Sequence, residues 1–174
     1  MPSDTSSSKN IVRSIEATLR FVFADEAAVC AFAAHLAPRL AAGDMLLLEG
    51  PLGVGKTFFV RALAKALGAA SEEVGSPTFA LVQELDTQPP ILHADLYRLA
   101  DESELDEIGA WEWPGQALAL IEWGARFLGA LPASCLLLHL TFGEGDSRIF
   151  EFRALSERGH VLLEALGEFG AEAP

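Results

Sequence analysis

The sequence predicts a three-layer α/β domain on a mixed, mostly parallel sheet with an antiparallel edge. Three observations predict it. Met45-Leu46-Leu47-Leu48-Glu49 is an apolar run that ends in a glycine-rich turn and opens onto a helical pattern. Ala117-Leu118-Ala119-Leu120-Ile121-Glu122-Trp123 is almost continuously apolar, as a strand covered on both faces must be. Toward the C-terminus, 135–142 and 148–154 alternate more and flank Gly143-Glu144-Gly145-Asp146, a hairpin signal.

Taken in order, Glu16 to Phe23 alternates polar and apolar residues and reads as a first strand. Asp25 is a suitable N-cap for a helix from Glu26 to Ala42 that ends at Gly43, with Pro38 interrupting it near its end. The strand at Met45 to Glu49 and a helix from Lys56 to Leu67 follow. Pro77 to Leu85 and Ile91 to Tyr97 have strand composition and enclose paired prolines, which predicts a hairpin. Asp101 to Glu107 is acidic and helix-prone, and a short helix at Gly124 to Leu128 follows the buried strand. Ser156 caps a final amphipathic helix to Leu166. The expected organisation is a flexible N-terminal tail over 1–14, one domain over 15–168 and a flexible C-terminal tail over 169–174.

Gly50-Pro51-Leu52-Gly53-Val54-Gly55-Lys56-Thr57 fits G-x-x-x-x-G-K-[ST], the phosphate-binding loop. Its glycines permit positive φ, so that backbone N–H groups can crowd around an anion, and the helix after it adds unpaired amides and a positive dipole end. On this reading Gly50, Gly53 and Gly55 let the backbone close around the phosphates of a nucleoside triphosphate, with Lys56 neutralising charge. Thr57 is placed on a bridging Mg²⁺. The whole reads as P-loop NTPase-like.

In such a sheet the ligand lies beyond the carboxyl ends of the strands, where Asp95 and Glu122 each close an apolar run. Glu122 is the better metal candidate, and Asp95 could orient or deprotonate an attacking water. Thr78, between a proline and an apolar strand, resembles a switch hydroxyl reaching the γ-phosphate, and reads equally as a turn cap. His93 shares a face with Asp95 by period-two alternation and points either to the site or to the core. Trp111, Trp113 and Trp123 read as core or interface anchors. Arg148 and the Phe23 to Asp25 corner are candidates for the adenine pocket.

At 174 residues and 51% hydrophobic composition, the chain can bury a core of its own. Its net charge of −13 argues against autonomous binding to a nucleic acid. Cys30 and Cys135 lie singly on apolar stretches and read as small buried residues in a reducing compartment. The serine-rich start lacks the apolar core of a signal peptide, which predicts a cytoplasmic protein.

Gly50 to Thr57, then Ser76-Pro77-Thr78-Phe79, His93-Ala94-Asp95-Leu96-Tyr97-Arg98-Leu99 and Ile121-Glu122-Trp123, in this order and spacing, resemble the TsaE (YjeE) family over about residues 16–155. The resemblance implies a small Mg²⁺-dependent ATPase required for threonylcarbamoyl modification of adenosine 37 in tRNAs that read ANN codons, acting with the TsaB–TsaD heterodimer. It implies that Thr57 and Glu122 hold Mg²⁺, that Gly53 to Phe58 wrap the phosphates, that Asp95 is essential for hydrolysis, and that Thr78 lies in a switch-like segment. Pro51 and Phe58 depart from the family pattern, which often has an acidic and a hydroxyl residue there. Two alternatives stand beside this reading: a small phosphoryl-transfer kinase, for which no arginine-rich lid is visible, and a nucleotide-gated adaptor with negligible turnover.

Overall fold

The computed structural model describes residues 17–70, 77, 81–109, 112, 115–131 and 136–170. Seven strands form one sheet: β1 (Thr18–Phe23), β2 (Met45–Glu49), β3 (Val82–Leu85), β4 (Ile91–Asp95), β5 (Leu118–Glu122), β6 (Leu136–Phe142) and β7 (Arg148–Ala154), in the order β1-β7-β6-β2-β5-β4-β3. The helices are α1 (Glu26–Leu36), α2 (Lys56–Ala66), α3 (Ser103–Glu107) and α4 (Glu157–Gly167).

The sheet is mixed, but it is antiparallel at both edges rather than one. β2 pairs in parallel with β5 and β6, and β4 with β5, whereas β6-β7-β1 at one side and β3-β4 at the other are antiparallel. Three parallel and three antiparallel pairings make the expected parallel majority an overestimate. Each hairpin follows from its short connection; their placement toward opposite edges follows from β2 and β5 lying between them.

Period-two alternation sorts the central strands onto two cores. Leu46 and Leu48 of β2, with Leu118 and Leu120 of β5, face α1, α2 and α4, while Met45, Leu47, Ala119 and Ile121 join a second cluster with Leu96, Leu105 and Phe127. All five residues of β5 are buried, as a strand covered on both faces requires. An aromatic cluster of Phe21, Phe23, Phe32, Phe59, Phe150 and Phe152 fills the first core. Phe169, placed by the sequence reading in the C-terminal tail, packs its ring against Phe32 with centroids 5.1 Å apart.

Asp25 caps α1 by accepting from Ala28 N–H at 2.9 Å, and Ser156 caps α4 by accepting from Gly159 N–H at 3.1 Å. α1 ends earlier than the glycine stop suggested: a 3₁₀ turn over Ala37–Arg39 contains Pro38, whose ring cannot continue the helix. The expected buried Cys30 is exposed on α1, because that alanine-rich helix turns Val29, Phe32, Ala33 and Leu36 inward instead. Asp44, buried at the entry to β2, accepts two hydrogen bonds from Arg158 at 2.9 and 2.7 Å and so ties α4 to the strand that carries the loop. Among the described residues no helix is long and apolar enough to cross a membrane.

Candidate functional site

β2 delivers the chain into the loop, and the loop geometry follows from its glycines. Gly50, Gly53 and Gly55 have φ of +138°, +75° and +114°, conformations that L side chains resist. Gly50 is also sterically obliged: a Cβ there would lie 2.3 Å from the Leu140 carbonyl oxygen of β6. Gly55 is the N-cap of α2, so Lys56 and Thr57 begin the helix whose amide end faces the loop.

Lys56 is buried, with its Nζ donating to the carbonyls of Gly50 at 2.6 Å and Pro51 at 3.1 Å. It stands 4.0 Å from the centroid of the Trp123 ring. Burial holds its ammonium pKa below the ordinary lysine value, against the opposing pull of Glu122, Glu49 and Asp95. The cation therefore lacks much of its hydration and is surrounded by groups that an incoming polyanion could replace.

Glu122 ends β5 and is buried. Its Oε1 accepts from the Thr57 hydroxyl at 2.8 Å and is 2.9 Å from His93 Nε2. His93 is fully buried on β4, so the ambiguity left by alternation resolves to both alternatives at once: it is in the core and it touches the site. Asp95, two residues on, is partly buried and accepts from Tyr97 N–H at 3.0 Å through Oδ1.

These side chains open onto one cleft of about 350 Å³, lined by Gly53, Gly55, Lys56, Thr57, Phe58, Asp95 and Glu122 together with Leu52, Tyr97, Arg98 and Trp123. Of the residues expected at the site, Val54 stands apart: its side chain is fully buried in the core, and its carbonyl accepts from Arg148 Nε at 3.0 Å. Thr78 lies outside the described residues, as do Trp111, Trp113 and Cys135. A second recess of about 180 Å³ lies on the other side of the loop, where Asp25, Phe58 and Arg148 meet Gly53 to Gly55. It brings together the two segments that the sequence offered for the adenine pocket.

Trp123 and Tyr97 were not expected at the site. Trp123 has φ +62°, a left-handed conformation for a bulky residue, and its ring contacts both Lys56 and Tyr97, whose ring centroid is 5.0 Å away. Its place directly after Glu122 was the available signal. Arg126 was also missed: its guanidinium donates to the carbonyls of Leu96, Tyr97 and Leu99, fixing the segment that leaves Asp95.

The residues fit a triphosphate with a divalent cation. A buried lysine at a helix N-terminus beside left-handed glycines suits phosphate. Two oxygens 2.8 Å apart, one hydroxyl and one carboxylate, suit Mg²⁺, whose octahedral ligands at about 2.0–2.1 Å are separated along an edge by roughly 2.9 Å. Among the described residues no group of three or more His, Cys, Asp or Glu could hold a metal, so such an ion would need oxygens from its ligand as well.

Comparison with known proteins places the chain in a family. The family model for "Threonylcarbamoyl adenosine biosynthesis protein TsaE" matches residues 23–150. The chain is 39% identical over 126 residues to the tRNA threonylcarbamoyladenosine biosynthesis protein TsaE of Bacillus subtilis (strain 168), covering 71% of this chain and 78% of that one. It is 37% identical over 143 residues to the protein of the same description from Rickettsia bellii, covering 82% and 92%. A crystal structure of YdiB from Bacillus subtilis superposes with a TM-score of 0.72 at 29% identity, over 90% of this chain and 98% of that one. With a family match that spans both the loop and the strand-end carboxylates, and relatives similar over most of their length, the chain belongs to the TsaE family, the proteins of tRNA threonylcarbamoyladenosine biosynthesis.

Proposed function

We propose that this TsaE-family chain binds Mg²⁺-ATP in the cleft above β2 and hydrolyses it slowly, in support of threonylcarbamoyl modification of adenosine 37 in tRNA. The observation that carries the reading is the 2.8 Å contact between Thr57 and Glu122 beside a buried Lys56. The domain is then P-loop NTPase-like, with helices on both sides of the sheet as outer layers.

In this reading the backbone of Gly53 to Phe58 cradles the phosphates, and Lys56 exchanges the Gly50 and Pro51 carbonyls for phosphate oxygens. Thr57 and Glu122 hold Mg²⁺, directly or through water, and the metal supplies charge neutralisation between phosphate oxygens. Asp95 orients or deprotonates the attacking water, and Thr78 serves as the switch hydroxyl. The base lies in the recess lined by Asp25 and Arg148.

The TsaB–TsaD heterodimer is the proposed partner. tRNA is met only through that complex, since a chain of net charge −13 repels a polyanion, and the reaction belongs in the cytoplasm. The test is calorimetric titration with ATP and Mg²⁺, followed by phosphate release with and without TsaB–TsaD against a panel of acceptor nucleosides. Binding, with phosphate release that rises with partner, is the expected result. A folded protein that ignores ATP overturns the reading, a phosphorylated acceptor replaces it with a kinase, and binding without turnover replaces it with a nucleotide-gated adaptor.

A further inference from the structure

We infer that His93 is a positioning residue, whose Nε2–H fixes the Glu122 carboxylate in the orientation that receives Mg²⁺. The inference rests on the Mg²⁺-ATP reading above and adds to it a residue with no phosphate or nucleotide contact of its own.

His93 is fully buried in β4, between Gln83 of β3 and Leu120 of β5, in a strand otherwise made of Ile91, Leu92, Ala94 and Asp95. Its Nδ1 is buried with no hydrogen-bond partner among the described residues. An unsatisfied polar atom of this kind costs about 1–3 kcal/mol, which an apolar residue of similar volume would not incur. The compensating contact is Nε2 to Glu122 Oε1 at 2.9 Å. With the proton on Nε2, the ring donates to the carboxylate and leaves Nδ1 as a bare lone pair.

Oε1 then takes hydrogen bonds from two elements, Thr57 on α2 and His93 on β4. The Thr57 hydroxyl turns freely about its C–O bond and is itself a proposed ligand, so it cannot hold the carboxylate alone. The imidazole is rigid and wedged among core side chains, so it supplies the fixed reference. Hydrogen-bond partners of metal-ligating groups characteristically govern metal affinity by about tenfold to a hundredfold.

The experiment measures ATP affinity by calorimetry with Mg²⁺ and with EDTA, for wild type and for His93→Gln, His93→Asn and His93→Leu, with circular dichroism melts to check folding. The glutamine amide nitrogen reaches the position of Nε2, whereas that of asparagine reaches only Nδ1. Expected is a Mg²⁺-dependent gain in affinity that H93Q keeps to within a few-fold and that H93N and H93L reduce by roughly tenfold or more, with affinity in EDTA alike in all four. Equal gains in H93Q and H93N overturn the inference even if H93L does not fold. A wild type that ignores ATP overturns the Mg²⁺-ATP reading instead, so the two failures are distinguishable.

Discussion

Asp95 and Glu122 are partners across the parallel β4–β5 ladder, so two carboxylates that each end an apolar strand stand side by side beyond the sheet. Their environments differ. Glu122 is buried with two partners on one oxygen, while Asp95 is partly exposed and accepts locally from Tyr97 N–H. A fixed carboxylate suits a metal ligand and a more accessible one suits work on water, which is the division of labour proposed above.

Glu122→Gln separates charge from shape. Because Thr57 and His93 converge on the same oxygen, an amide carbonyl can accept both hydrogen bonds and the fold should persist. The lost negative charge should remove the Mg²⁺-dependent part of ATP affinity and reduce turnover by at least about a hundredfold. Glu122→Ala additionally leaves two donors without their acceptor, costing about 1–3 kcal/mol each where buried. Turnover and a melt on each variant check both statements, and wild-type turnover in E122Q removes Glu122 from the metal.

Asp95→Asn should leave ATP affinity within a few-fold of wild type and cut turnover by about 10²–10⁴, the usual worth of a positioned acid or base. Its side-chain oxygen still accepts from Tyr97 N–H, so the turn after β4 survives. Single-turnover hydrolysis at saturating ATP measures it. Equal losses in affinity and rate would instead make Asp95 a binding group.

Lys56→Met should weaken ATP binding by roughly tenfold to a hundredfold, the loss of a charge-assisted contact of about 1.5–3 kcal/mol. It should also raise stability at neutral pH, because burial disfavours the ammonium. A lysine whose folded pKa lies below its unfolded 10.5 binds fewer protons folded than unfolded between those two values. Wild type therefore gains stability relative to K56M as pH rises through the lowered pKa toward 10.5, and the penalty is fully present below it. Paired melts across that range should show the variant's advantage narrowing; an advantage that widens contradicts the buried-cation account.

Much of this site is local in the sequence and was therefore legible. The loop, the capping Asp25 and Ser156, and carboxylates ending apolar runs each follow from a few adjacent residues. What was hidden depends on long-range register. Nothing near His93 says that residues 91–95 lie beside 118–122, and only that register brings its ring to Glu122. The same holds for Trp123, whose contact with Lys56 needs β5 next to β2, and for the two hairpins, readable singly but not as occupants of opposite edges. Cys30 misled because an alanine-rich helix carries too weak an apolar stripe to show which face it buries.

Gly50 and Gly53 both stand at positive φ, yet they should fail differently. Gly50→Ala drives a methyl group to 2.3 Å from the rigid Leu140 carbonyl of β6 in a backbone region that is nearly glycine-only, so it should cost about 3 kcal/mol or more and depress the melting temperature severely. Gly53→Ala meets nothing within 4 Å, so its penalty is the left-handed strain of roughly 1–2 kcal/mol, which the exposed loop can relieve by moving. That movement spoils the phosphate cradle rather than the core. G53A should melt close to wild type and lose ATP affinity by about tenfold, whereas G50A should lose the fold first. Melts and ATP titrations on the pair decide it, and a G50A that melts like wild type would show that β6 does not press on the loop as the packing requires.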